Sequence, residues 1–86
     1  MGTIQDLKRQ VRFTVLPAQY DEKGRLIEKE VTYVADFTYI KNGKLVVEDV
    51  KGFKTPEYIL KRKMMLYVNG IRVMEITKED TNHEEI

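Results

Sequence analysis

The chain has 86 residues, 42% hydrophobic and 34% charged, with a formal net charge of +1 and no cysteine. That length supports one domain with one modest core. It holds no run of about 18 apolar residues to cross a membrane as a helix, and without cysteine there are no disulfides, no thiolate catalysis and no cysteine-bound zinc.

The opening Met1–Asp6 has neither a basic stretch nor an apolar core, so it does not read as a secretory signal. Residues 3–10 are polar, with Ile4 and Leu7 as the apolar exceptions, and are read as a short helical turn. Val11–Leu16 alternates as a strand does, and Pro17 places it at an edge or an end. Asp21-Glu22-Lys23-Gly24 is a turn signal. Val31–Ile40 is rich in β-branched and aromatic residues, Asn42-Gly43 is a strong hairpin signal, and Leu45–Val50 is the return strand. Thr55, Pro56 and Glu57 suit a helix cap, a first helical position and a positive helix end. The helix is predicted over 56–68, with Leu60, Met64, Tyr67 and Val68 facing inward, and Asn69-Gly70 ends it. Ile71–Ile76 is a last strand, and 78–86 reads as a disordered acidic tail.

The order strand-strand-strand-helix-strand predicts an α+β domain over residues 1–77. Its third and fourth strands are joined by a right-handed crossover and are therefore parallel.

The hairpin turn fixes a register. With Lys41 facing Lys44, Asp36 lies opposite Asp49, and Lys51 shares the Asp49 face. A three-residue loop instead would slip the pairing by one and separate the aspartates. Opposed residues have Cβ atoms about 4.5–5.5 Å apart, and two carboxylates there repel by roughly 3 kcal/mol at an effective dielectric near 20. A shared proton, Lys51, or a divalent cation relieves that repulsion, and Mg²⁺ or Mn²⁺ suits two carboxylates and waters.

Val34-Ala35-Asp36 followed by Glu48-Asp49-Val50-Lys51 resembles the PD-(D/E)XK nuclease superfamily. The wider stretch from Tyr33 to Thr55 looks like a phage- and prophage-encoded family of unknown function within it. The resemblance implies a restriction-endonuclease-like core with a mixed four-stranded sheet. It makes Asp36, Asp49 and Lys51 catalytic, with Mg²⁺ or Mn²⁺ held by Asp36, Asp49 and the Val50 carbonyl. The implied activity is metal-dependent phosphodiester hydrolysis by a phage-type DNA endonuclease, on branched or recombination intermediates, in the cytoplasm of a bacterial host. The alternative is a non-catalytic DNA- or protein-binding module of the same fold. A third reading is a phage assembly or regulatory module.

The match departs from the superfamily in one respect. Its nucleases place a glutamate on a helix before the first strand, and residues 1–10 contain none. The chain is therefore expected to cleave weakly or not at all. Both sheet faces read as apolar: Val34, Leu45 and Val47 on the Asp36 side, and Tyr33, Ala35, Phe37, Val46 and Val50 on the other. One helix covers one face, so a second copy or a partner is expected on the other.

Lys54, Lys61, Arg62 and Lys63 read either as a phosphate grip or as a solvated helix face, and Lys54 and Lys61 are the best placed for DNA. Tyr58 and Tyr67 are read as packing before base stacking, and Met64 and Met65 as core. His83 lies in the tail and is given no role.

Overall fold

Strand β1 (Ile4–Leu16) is 13 residues long and absorbs the segment read as a helical turn. The correction has a local cause. Asp6 and Gln10 take left-handed backbone conformations, with φ of 55° each. These kinks break the alternation by which a strand is recognised. In the computed structural model, which describes residues 3–77, β1 is followed by a small hairpin of β2 (Gln19–Tyr20) and β3 (Leu26–Glu28). The turn between them is the one read in Asp21–Gly24. Asp21 Oδ1 accepts hydrogen bonds from the Lys23 and Arg25 amides, each at 2.9 Å.

The long hairpin β4 (Val31–Lys41) and β5 (Lys44–Val50) turns through Asn42 and Gly43, with φ of 53° and 75°. Positive φ at both central residues is what a two-residue turn between twisted strands requires. Helix α1 (Pro56–Asn69) opens with the Thr55 hydroxyl accepting from the Tyr58 amide at 3.1 Å. It closes on left-handed Gly70, whose amide donates to the Leu66 carbonyl at 3.0 Å. The last strand, β6 (Met74–Ile76), is shorter than predicted, because Ile71–Val73 form no ladder although Val73 is buried.

These elements make an α+β fold whose main sheet has the order β1-β4-β5-β6. β1 and β5 flank β4 antiparallel, and β6 joins β5 in parallel, as the crossover through α1 predicts. The core gathers Val15, Tyr33, Ala35, Val47, Tyr58, Met65 and Val73 between α1 and the sheet.

Two face assignments are corrected. The inner face of α1 is Tyr58 and Met65, two turns apart, with Ile59 and the expected Met64 packed against the same core, whereas Leu60 is 58% exposed, Tyr67 91% exposed and Val68 also outward. The helix carries apolar residues on more than one side, so periodicity alone does not choose which side faces the sheet. In the sheet, Tyr33 and Ala35 are buried, and then Thr38, so the parity of burial changes between 35 and 38. Val47, the ladder partner of Thr38, sits in the same core as Tyr33, while Val34 and Leu45 are exposed. The change falls between Ala35 and Thr38, a stretch that includes the position facing the kinked Gln10. No helix among the described residues is long and apolar enough to cross a membrane. The acidic tail lies outside the described residues.

Candidate functional site

The β4–β5 ladder runs from Lys41↔Lys44 to Phe37↔Glu48, so its next step brings Asp36 to Asp49. There a side chain takes over the ladder's role. The Val50 amide donates to Asp36 Oδ2 at 2.9 Å, and the two carboxyls are close enough to shift each other's affinity for a proton. Asp49 is 1% exposed, the most deeply buried charged residue described, whereas Asp36 reaches the surface. Tyr33 donates its hydroxyl to Asp49 Oδ2, and Lys51 Nζ stands 3.3 Å from Asp49 Oδ1.

This setting acts on the two carboxyls in opposite directions. Burial, reinforced by the neighbouring Asp36, holds the Asp49 carboxyl above its ordinary range, against the opposing pull of Tyr33 and Lys51. Asp36 is held below its ordinary range. Burial opposes that, but Asp49, the Val50 amide, Lys51 and Arg9 together prevail. The two carboxyls are thus biased in opposite senses, with Asp49 the more reluctant of the pair to ionise and Asp36 the readier.

Lys51 is fixed at both ends. Its amide donates to the Ile76 carbonyl at 2.9 Å, and its ammonium lies 4.2 Å from the centroid of the Tyr58 ring. The Tyr58 hydroxyl donates to Glu75 Oε2 at 2.8 Å. Glu75 also meets Arg62 Nη1 at 3.0 Å and Lys54 Nζ at 2.9 Å. Burial weighs against ionising Glu75, yet its bonds from Lys54, Tyr58 and Arg62 pull it down to about 2.

Asp36, Asp49, Val50 and Lys51 are therefore brought together. Lys54 and Lys61 are not part of that group: Lys54 is tied to Glu75, and Lys61 pairs with Glu57 at 3.2 Å, one helical turn away. Glu48 points elsewhere and accepts from the Tyr39 hydroxyl. Sequence reasoning missed Tyr33, Tyr58 and Glu75. Glu75, flanked by Met74 and Ile76, carries the one readable signal: a carboxylate in a strand parallel to the one bearing Asp49.

The donor set fits a weakly held, largely hydrated divalent ion. Two aspartates on adjacent strands can share such an ion, and Mg²⁺ keeps several of its waters. No third Asp, Glu, His or Cys joins the pair among the described residues. Glu75, though Asp49's neighbour in the ladder, is already satisfied by two cations and a hydroxyl.

The fold and the site define a small α+β domain, a mixed sheet under one helix, with a buried carboxyl pair and a lysine at the end of a hairpin. By sequence the chain belongs to the family described as "Protein of unknown function (DUF1064)", whose model matches residues 1–80. No curated protein and no solved structure matches it significantly.

Proposed function

We propose that this domain is a PD-(D/E)XK-like, metal-dependent phosphodiesterase acting on DNA. The observation that carries the reading is the Asp36–Asp49 pair with Lys51 at 3.3 Å. Burying a carboxyl to 1% exposure against a second carboxyl is unfavourable for folding, and such arrangements cluster at functional sites. In this reading Asp36, Asp49 and the Val50 carbonyl hold Mg²⁺ or Mn²⁺. The ion, when bound, supplies Lewis-acid polarisation and water activation. Lys51, steadied by the Tyr58 ring, places a positive charge where a phosphodiester gains negative charge. The DNA is that of a phage or its bacterial host, and the cytoplasm is the compartment the reading implies. Branched or recombination intermediates are the substrates the resemblance suggests.

A specific observation supports a second reading. With no third carboxylate beside the pair among the described residues, protein coordination is thin, which suits a non-catalytic DNA- or protein-binding module of the same fold. One experiment separates the two. Mn²⁺ is titrated while backbone amides are followed, and cleavage of branched, single-stranded and duplex DNA is assayed with Asp49→Asn and Lys51→Ala as controls. Nuclease function requires perturbation centred on Asp36, Asp49 and Val50 together with cleavage that both variants abolish. Metal-independent DNA binding without cleavage supports the binding module. Amide changes confined to residues 79–85 would rule out the metal site.

A further inference from the structure

The main sheet ends on β6, whose only ladder among the described residues is with β5. The bonds of that ladder tell which backbone groups are left over. The Lys51 amide donates to the Ile76 carbonyl at 2.9 Å, and the parallel register pairs Glu48 with Met74 and Val50 with Ile76. Met74 and Ile76 therefore turn their backbone groups toward β5. Backbone direction alternates along a strand, so Glu75, between them, presents its N–H and C=O to the outer edge. A concavity of about 470 Å³ lies along that edge. Residues 72–75 line it in succession. Consecutive side chains of a strand point to opposite faces, so one concavity meets such a run only at the strand's edge. Its other wall is α1, through Arg62, Lys63 and Leu66. We infer that this edge is a docking site for an extended segment of another protein, in which acidic and apolar residues alternate, added to the sheet beside β6.

Three features select this occupant. An unpaired strand edge recruits the backbone of another chain. The concavity is also basic: Lys63 and Arg72 are exposed and form no ion pair among the described residues. Glu75, the acid in its lining, is already engaged by Lys54, Arg62 and the Tyr58 hydroxyl. Acidic side chains match that charge. Finally, Leu66 and Met74 are 55% and 49% exposed, an apolar surface that a phosphate backbone does not use. The alternation follows from β6 itself. Glu75 faces α1, where it meets Tyr58 and Arg62, so Met74 faces the other way. Acidic side chains of the added strand on the helix side meet Lys63, and apolar ones on the opposite side extend the Met74 surface. The β1 edge is a poorer template, because left-handed backbone at Asp6 and Gln10 interrupts it. A strand of three residues supports a weak, reversible complex. The inference uses no metal and neither Asp36 nor Asp49, so it does not depend on the nuclease reading.

The test follows backbone amide shifts and amide exchange of the isotope-labelled protein without divalent metal. The probe is a short peptide of alternating Val and Glu, compared with one of alternating Val and Lys and with a short DNA duplex. The acidic peptide should shift residues 72–76 and slow exchange of the Glu75 amide, and the lysine peptide should not. N-methylating one alternate set of the acidic peptide's amides should abolish binding, and methylating the other set should spare it, because only one set faces β6. Lys63→Glu combined with Arg72→Glu should weaken the acidic peptide by about 10-fold or more. Both side chains are exposed, so circular dichroism should show a folded variant. Unchanged exchange at Glu75, equal binding of the two peptides, or indifference to methylation of either set overturns the strand-docking site. Shifts at Lys63 and Arg72 with the duplex, and none with the acidic peptide, would make this a nucleic-acid contact and overturn it as well.

Discussion

Asp49 and Glu75 are direct partners in the parallel ladder between β5 and β6, yet their carboxyls are held in opposite ways. Burial raises Asp49 above the ordinary range, whereas Glu75, despite burial, is pulled down to about 2 by Lys54, Tyr58 and Arg62. Tyr58 touches both halves, with its hydroxyl on Glu75 and its ring under Lys51, which reaches Asp49. One carboxylate anchors the helix to the sheet. The other is kept at a thermodynamic disadvantage beside a lysine.

That disadvantage predicts a stabilising substitution. A raised folded-state value means the Asp49 contribution is fully present below the unfolded value of 3.8 and is lost as pH rises through the folded value. Asparagine keeps an acceptor for Tyr33 and offers a donor to Asp36 but cannot ionise. Asp49→Asn should therefore raise stability at neutral pH by about 0.5–2 kcal/mol, with the gap closing in acid. Urea unfolding at both pH values measures this. Excess Mn²⁺ should favour the wild type and narrow or reverse the difference, because only the wild type keeps both carboxylates. A neutral-pH loss in Asp49→Asn would instead make Asp49 a structural partner of Lys51.

Glu75 has the opposite sign. Its lowered value means that its stabilisation is present above the unfolded value of 4.5 and is lost as pH falls from there toward about 2. Wild-type thermal stability should drop across that window. Glu75→Gln should be less stable at neutral pH by about 1–3 kcal/mol, the scale of hydrogen bonds to charged groups, and its acid-side slope should be shallower. An unchanged slope would mean the Lys54–Glu75–Arg62 cluster does not hold α1 in place.

Much of this architecture is legible in the residues. Asn42-Gly43 specifies the turn that brings Asp36 to Asp49, and Thr55-Pro56 and Gly70 mark where α1 begins and ends. The crossover through α1 implies the parallel β5–β6 pair. What could not be read depends on irregularity or on distant contacts. The kinks at Asp6 and Gln10 conceal the first half of β1, and the change of parity between Ala35 and Thr38 puts Tyr33 on the Asp49 side. The Asp49–Glu75 pairing comes from a parallel register that no tight turn fixes.

The corrected face of α1 gives a direct contrast. Met65 is 0% exposed, so Met65→Ala should cost about 2–5 kcal/mol through lost burial and a residual cavity. That is a large share of the stability of a domain this small. Tyr67→Ala, at the outward position, should stay within about 0.5 kcal/mol in dilute solution. Chemical denaturation of both variants tests this, and a large loss at Tyr67 would restore the helix face read from the sequence.

The outward stripe also bears on association. Leu60, Tyr67 and Val68, two turns apart on one side of α1, lie exposed, the arrangement of a helix that packs against another helix. Edge pairing through β1 is a weaker route, because the left-handed kinks at Asp6 and Gln10 interrupt a flat edge. A helix of 14 residues is about 21 Å long, too short by itself for the roughly 1,600 Å² of a stable protein interface. The expected state is therefore a weak, reversible dimer joined through α1. Sedimentation velocity over a concentration series should show the apparent mass rising with concentration. Leu60→Glu combined with Tyr67→Glu should return it to the monomer without loss of helical content, since neither side chain enters the core. A wild type that stays monomeric throughout, or a dimer indifferent to both substitutions, would exclude α1 as the interface.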